Sequence, residues 1–265
     1  MNENRVCIIT GGTSGIGRAT ALEMKEAGYA VYDLSRREEG NGITEHIVAD
    51  VTREDTLISA VERIIEKEGH IDVLINNAGF GISGACEFTE LEYAKKQLDV
   101  NFFGMVSMTK AVLPYMRKQG YGRIVSLSSV AAPIPIPFQA FYSASKAAIN
   151  AYSLALANEV RPYGIQVCAV QPGDIHSGFT AAREKHHEGD EEYGGRIERG
   201  VKVMENDEIN GMVPEDAAKV ICRLATAKSI KPINTVGYKY KAFCTLVRFL
   251  PRKISNYLVG LIYSK

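Results

Sequence analysis

Tyr142 and Lys146 stand four residues apart in FYSASKAAIN (141–150), a stretch that starts as a loop and continues as a helix. Four apart on a helix, the two side chains share a face. A solvated surface pair is the plain reading of such neighbours. The chemical reading is proton transfer. A free phenol ionises at about pH 10, and a nearby ammonium lowers that value towards the range useful at neutral pH. A second stretch points the same way. GGTSGIG (11–17) follows the apolar run RVCIIT and precedes the helical pattern RATALEMKEAG. Gly11, Gly15 and Gly17 have the spacing GxxxGxG. Backbone without side chains lets a pyrophosphate approach, and the helix N-terminus adds free N–H groups and a positive dipole end. An ordinary tight turn is the alternative; the flanking strand and helix favour a cofactor.

Rigid elements must hold these residues. RVCIIT (5–10), AVYDLS (30–35), HIVADV (46–51), DVLINN (72–77), RIVSLSS (123–129) and QVCAVQP (166–172) read as strands buried on both faces, and INTVG (233–237) as a seventh. Helical patterns over 15–27, 53–68, 91–118 and 142–163 alternate with them and stop at or near Gly28, Gly69, Gly120 and Gly164. Strand–helix alternation predicts an α/β fold with a parallel sheet and right-handed crossovers. No repeat or linker interrupts residues 1–265, which read as one domain. Segment 174–216 is polar, acidic and glycine-spotted, too long for an ordinary connection, and predicts a substrate lid. An apolar fraction of 46% is enough for a substantial core. The cysteines are scattered without metal-ligand spacing, so reduced thiols and no metal site are expected. The N-terminal MNENRVCIIT lacks a signal-peptide apolar region, and no apolar run has spanning length. A cytoplasmic protein is expected.

TGGTSGIG (10–17), NNAG (76–79), YSASK (142–146) and PG (172–173) share their order and spacing with the short-chain dehydrogenase/reductase family, which the chain resembles over roughly residues 5–240. The resemblance implies a doubly wound, seven-stranded Rossmann sheet with bound NAD or NADP. It also implies interconversion of an alcohol and a ketone, and assembly as a dimer or tetramer through the helices around Asn101 and Tyr142. Ser129, 13 residues before Tyr142, would orient the substrate oxygen. Tyr142 would move the proton, and Lys146 would lower its pKa and bond the nicotinamide ribose. Asn101 in DVNFFG, a poor helix former at mid-helix, would hold a water between Lys146 and solvent. Thr13, Ser14 and Ile16 join the three glycines at the pyrophosphate.

Asp50 and Val51 would meet the adenine, although DVTRED also reads as a helix start with Thr52 as N-cap. Asn77, Ala78 and Gly79 would line the ribose, with Asn76 structural. Pro172 and Gly173 would turn past the nicotinamide, and Ile175 N–H and the Ser177 hydroxyl would reach its carboxamide. The acidic position at the end of the second strand falls on Ser35, followed by Arg36 and Arg37. A hydroxyl and a guanidinium suit a 2′-phosphate, so NADP(H) is favoured over NAD(H). Asp33 lies on the same strand face as Ser35 and would select NAD if the register slipped.

Ile134, Ile136, Phe138, Phe141 and Phe179 predict an apolar pocket with few charges, its wall stiffened by prolines at 133, 135 and 137. A hydroxysteroid or bile acid fits best, with a retinoid, a long-chain carbonyl compound or an NAD-linked alcohol as alternatives. His176 is a further candidate facing substrate; His186 and His187 read as solvated loop. A catalytically silent cofactor-binding protein would lack Tyr142 or Lys146, and a sugar epimerase would carry GxxGxxG and a longer C-terminal part. Net charge is zero, yet the chain has ten Lys or Arg and no acid after Asp216. No aromatic-and-basic module accompanies that charge, which argues against nucleic acid. In the extension 240–265, Phe243, Leu246, Val247, Leu250, Ile254, Leu258, Leu261 and Ile262 recur at helical spacing around Pro251. Two readings stand: a basic amphipathic anchor at a membrane surface, or a helix pair capping the cleft or a neighbouring subunit.

Overall fold

Side chains along β1 (Arg5–Thr10) alternate between two cores: Val6 and Ile8 enter one, Cys7 and Ile9 the other. Helices on both sides leave no wet face, which is why the run is apolar throughout. The computed structural model describes residues 5–264. After β1 come β2 (Tyr29–Ser35), β3 (Glu45–Val48), β4 (Val73–Asn76), β5 (Ile82–Ser83), β6 (Gly122–Leu127), β7 (Ile165–Gln171), β8 (Glu184–Lys185) and β9 (Ile233–Thr235). Seven of these form a parallel sheet in the order β3-β2-β1-β4-β6-β7-β9, and β5 pairs with β8 apart from it. The fold is the expected doubly wound Rossmann architecture in a single domain.

One core packs the sheet against α2 (Glu54–Glu68), α4 (Gly104–Gln119) and α5 (Ala140–Val160), through Leu57, Ile64, Met108, Met116 and Leu156. The other packs it against α1 (Gly15–Glu26) and α7 (Pro214–Thr226), through Met24, Ala217 and Ile221. The helix read over 91–118 is divided. An α-helix, α3 (Leu91–Leu98), and α4 flank a π turn at Asp99–Phe103 that contains Asn101. The third strand stops at Val48, so Asp50 and Val51 lie in the turn beyond it. Helix α2 is capped at Arg53, not Thr52; both Thr52 N–H and its hydroxyl donate to Asp50 Oδ1.

The segment after β7 ends sooner than expected, because α7 begins at Pro214 and packs on α1 as a sheet-flanking helix. Before it, α6 (Arg196–Ile209) buries Ile197, Val201 and Met204 against Ala85 and Phe138. The chain closes with α8 (Tyr238–Phe249) and α9 (Arg252–Tyr263), separated at Leu250 and Pro251.

Order reverses between β1 and β4, and ligands of open α/β sheets bind in the crevice at such a switch point. The two strand ends are clasped there. Thr10 Oγ1 accepts from Asn77 N–H and Ala78 N–H, both at 3.0 Å, while Asn77 Nδ2 donates to Thr10 O at 3.0 Å and Gly11 O at 3.1 Å. Thr10→Val keeps the shape and removes the acceptor. It should cost about 1–3 kcal/mol in urea unfolding, the range for orphaned buried donors; an unchanged midpoint would show that the hydroxyl is not the clasp.

Candidate active site

Gly11 and Gly15 adopt left-handed backbone, with φ of 70° and 51°. At Gly17 the constraint is space: a Cβ would stand 2.2 Å from Gly11 O and 2.5 Å from Asn77 Nδ2. A Cβ at Gly15 would meet only Ser177, at 3.7 Å, so the turn opens towards that hydroxyl. Beneath the turn lies Asp33, fully buried. Its Oδ1 accepts from Gly12 N–H at 2.5 Å and its Oδ2 faces His46 Nδ1 at 2.8 Å. Asp33 is therefore spent inside the protein and does not offer its carboxylate to a ribose. Ser35, Arg36 and Arg37 line the cavity instead. The Ser35 hydroxyl is buried without a partner, and Arg37 Nη1 donates to Thr13 O at 3.5 Å.

One cavity of about 860 Å³ joins these parts. It is lined by Gly11, Thr13, Ser14, Gly15, Ile16 and Gly17, by Ser35, Arg36 and Arg37, and by Asp50, Val51, Asn77, Ala78 and Gly79. Pro172, Gly173, Ile175 and Ser177 complete that part, and Ser129, Tyr142 and Lys146 stand farther along. An orphaned hydroxyl, open glycine backbone and a free helix N-terminus fit a dinucleotide. Asn76 is structural, donating to Thr109 and Ser126.

Tyr142 sits in the first turn of α5 and Lys146 one turn later. Ser145 Oγ donates to Tyr142 O at 2.7 Å within the helix, and Ser128 Oγ, just past β6, ties the helix to the sheet by donating to Lys146 O at 3.0 Å. Ser128 is thus a packing residue, while Ser129 accepts from Ala131 N–H at 3.1 Å and interacts with the Tyr142 phenol. Lys146 Nζ donates to Leu127 O at 2.7 Å and lies 5.6 Å from the Tyr142 ring centroid.

Burial moves both groups towards neutrality. The Lys146 ammonium is pushed down to about 8 by desolvation. The phenol goes up to about 12, the reverse of the expected direction. Burial dominates; Ser129 opposes it, the Glu208 carboxylate adds to it, Arg183 opposes, and Asp174 adds again.

Asn101 does not line the cavity. Its Oδ1 accepts from Phe80 N–H at 3.0 Å, and its Nδ2 donates to Phe80 O at 3.0 Å and Ser145 Oγ at 3.2 Å. The amide fixes the Phe80 segment and α5 beside Gly79, where a Cβ would stand 3.1 Å from Asn101 Oδ1 and 3.7 Å from Lys146 Nζ, and the π turn accommodates it in mid-helix.

The far end of the cavity corrects the expected pocket. Ile136 and Phe179 line it, and the Phe179 ring is 5.8 Å from that of Tyr142. Ile134 and Phe138 are buried in packing clusters, and Phe141 is not on the wall. His176 bonds the Ile209 carbonyl at 2.6 Å instead of facing substrate, and His186 packs on Tyr93. Charges do enter: Asp174 and Glu208 line this end, beside Met204 and Tyr263. Arg183, with its side chain fully buried, pairs with Glu208, whose other oxygen accepts from Thr180 Oγ1 at 2.7 Å. Tyr240 donates to Asp174 Oδ2 at 2.7 Å, and its ring lies flat on Gly173, where a Cβ would meet it at 2.2 Å. Sequence reasoning missed Tyr240, Arg183 and Glu208 because their partners lie far away in the chain; the lone PG dipeptide was the one visible sign of a close approach.

The family model described as short chain dehydrogenase matches residues 5–188. A 3-ketodihydrosphingosine reductase of Bacteroides thetaiotaomicron is 41% identical over 264 residues, covering 98% of each chain. Among solved structures, a short-chain dehydrogenase of Streptomyces avermitilis superposes with a TM-score of 0.83 at 29% identity, covering 92% of each chain. Neighbours hold either dinucleotide. ElxO with NADP bound has a TM-score of 0.75 at 26% identity, covering 90% of this chain and 99% of its own. A 3-ketoacyl-(acyl-carrier-protein) reductase of Brucella melitensis complexed with NADH also has 0.75, at 25% identity, covering 88% and 96%.

Tyr142→Phe removes the phenolic proton from the cavity wall and leaves the glycine turn untouched. Turnover should fall by about 10²–10⁴-fold, with dinucleotide binding, followed by nicotinamide fluorescence, within twofold of the parent (on the order of 0.4 kcal/mol); retained turnover would remove Tyr142 from its role. In the reductive direction the phenol stays protonated below about 12. The rate should therefore follow the Lys146 ammonium and decline as pH rises through about 8. A stopped-flow pH profile that stays level there would exclude a need for the charged lysine.

Proposed function

The chain belongs to the short-chain dehydrogenase/reductase family, oxidoreductases that act on CH–OH groups with a nicotinamide dinucleotide, and from that premise we propose that it is an NADP(H)-dependent reductase of a long-chain apolar ketone. One observation carries the reading: a single cavity runs from the glycine turn past Ser129, Tyr142 and Lys146 to Ile136, Phe179 and Met204. A dinucleotide bound there supplies hydride to a carbonyl carbon. Ser129 donates a hydrogen bond to the carbonyl oxygen and orients it. Tyr142 gives that oxygen its proton as negative charge develops. Lys146, as the ammonium, stabilises the phenolate left behind and holds ribose hydroxyls. Asn101 acts at one remove, by fixing Phe80 and Ser145.

Preference for NADP(H) rests on the end of β2. With Asp33 held under Gly12, a 2′-phosphate meets no carboxylate there and finds the Ser35 hydroxyl and two guanidiniums. The substrate reading rests on the 41% identical relative and on the cavity's far end. A ketone of the 3-ketodihydrosphingosine class has a saturated chain that suits Ile136, Phe179 and Met204. Its ammonium beside the carbonyl suits Asp174 and Glu208. The same reading includes assembly as a dimer or tetramer through α3–α4 and α5, which leave Phe103 and Leu154 exposed.

The test is NADPH and NADH oxidation with 3-ketodihydrosphingosine, a bile-acid ketone and a retinoid aldehyde. The long-chain amino ketone with NADPH should be turned over fastest, and Arg36→Ala should raise the KM for NADPH at least about tenfold, the value of one charged phosphate contact, while leaving NADH nearly unchanged. A faster steroid would return the substrate to the hydroxysteroid class, and equal losses with both dinucleotides would overturn the phosphate assignment.

A further inference from the structure

Helices α8 and α9 are amphipathic in an unusual sense. Their inward stripe is narrow: Cys244, Ser255 and Val259 are buried, with Cys244 and Val259 packing on Ile134. Their outward surface is also apolar. Tyr238 is 92% exposed, Phe249 83% and Tyr257 66%, and Leu246, Ile254, Leu258 and Ile262 are exposed with them. In α9 the positions 254, 257, 258 and 262 follow helical spacing, so they form one stripe. Isolated exposed apolar residues need no explanation, but a contiguous stripe of this kind marks a binding surface. Lys239, Lys241, Arg248, Arg252 and Lys253 edge it, and the chain has no acidic residue after Asp216. Each helix has 12 residues, about 18 Å of length, and among the described residues no helix is long and apolar enough to cross a membrane.

The helix pair is also coupled to the cavity. Tyr263, in the last turn of α9, lines its far end; Tyr240, in α8, bonds Asp174 on its wall. We propose that α8 and α9 dock on an anionic lipid surface, with the aromatic and aliphatic stripe entering the interface and the basic edge meeting headgroups, so that the substrate end of the cavity faces the bilayer. The occupant follows from charge complementarity: the charged side chains of α8 and α9 are all basic and, beside an apolar stripe, match anionic lipid, whereas a second copy would set the same positive charges against each other across a two-fold axis. Docking stands on the helix pair alone; delivery of a membrane-dissolved ketone rests on the proposed function.

The test uses the full chain and vesicles of phosphatidylcholine with or without phosphatidylglycerol. The protein should sediment with the mixed vesicles and be released by high salt. Arg248→Glu, Arg252→Glu and Lys253→Glu together should lower binding by at least about fivefold per charge, and Phe249→Ser with Tyr257→Ser should abolish it. These residues line no part of the cavity, so NADPH binding, read by fluorescence, serves as the folding control and should not change. Three results would overturn the proposal: a parent protein that stays in the supernatant, equal binding to both vesicle types, or Phe249→Ser splitting an oligomer in light scattering without affecting vesicles, which would assign the stripe to a second copy. Vesicle binding without ketone reduction would sink the functional reading and leave docking intact.

Discussion

The close approach of the turn after β1 to the end of β4 governs the geometry of the whole site. Nothing larger than hydrogen fits at Gly17, because Gly11 O and the Asn77 amide already fill the space. That contact holds only if the surrounding backbone polar groups are satisfied. Thr10, Asp33 and Asn77 satisfy them from three directions. The N-terminus of α1 is thereby left facing open space, with its N–H groups available for a pyrophosphate. The same arrangement extends to the end of β2. Asp33 cannot both hold Gly12 and bind a ribose, so the end of β2 presents Ser35 and the two arginines.

Burial sets the proton chemistry. A solvent-exposed Tyr–Lys pair would ionise near ordinary values. Here desolvation penalises the phenolate and the ammonium alike, pushing the phenol up to about 12 and the ammonium down to about 8, so the two values move apart. The proton then rests on the phenol at neutral pH, as a general acid for ketone reduction requires. In the opposite direction Tyr142 must first lose that proton, and the positive charge of an oxidised nicotinamide acts on it in that sense. Asp174 and Glu208 act against it. Among the protein's own groups these carboxylates hold the phenol protonated, and Ser129 and Arg183 oppose them.

Local signals made the sheet and the dinucleotide end legible. Continuous apolar runs located the seven main strands, and glycine stops located several helix ends within a few residues. The residues assigned to the cofactor all line one cavity, because turn chemistry is local: GGTSGIG, NNAG and PG constrain their own backbone. What failed to read was long-range. No period in the sequence distinguishes Phe141, off the wall, from Phe179, on it. The π turn at Asn101 has no marker beyond one poor helix former. The direction of the Tyr142 shift depends on depth of burial, which spacing on a helix cannot convey.

The substrate end shows how much the segment after β7 adds to a generic sheet. Arg183 is buried and charged, which is tolerable only because Glu208 meets it. The pair ties the stretch after Phe179 to α6, and α6 in turn packs on α9, which contributes Tyr263 to the wall. Tyr240 closes the other side by lying on Gly173 and bonding Asp174. Tyr240, far along the chain, thus packs on the turn at Gly173 and Asp174. The C-terminal helices both reach the candidate site, α8 through Tyr240 and α9 through Tyr263.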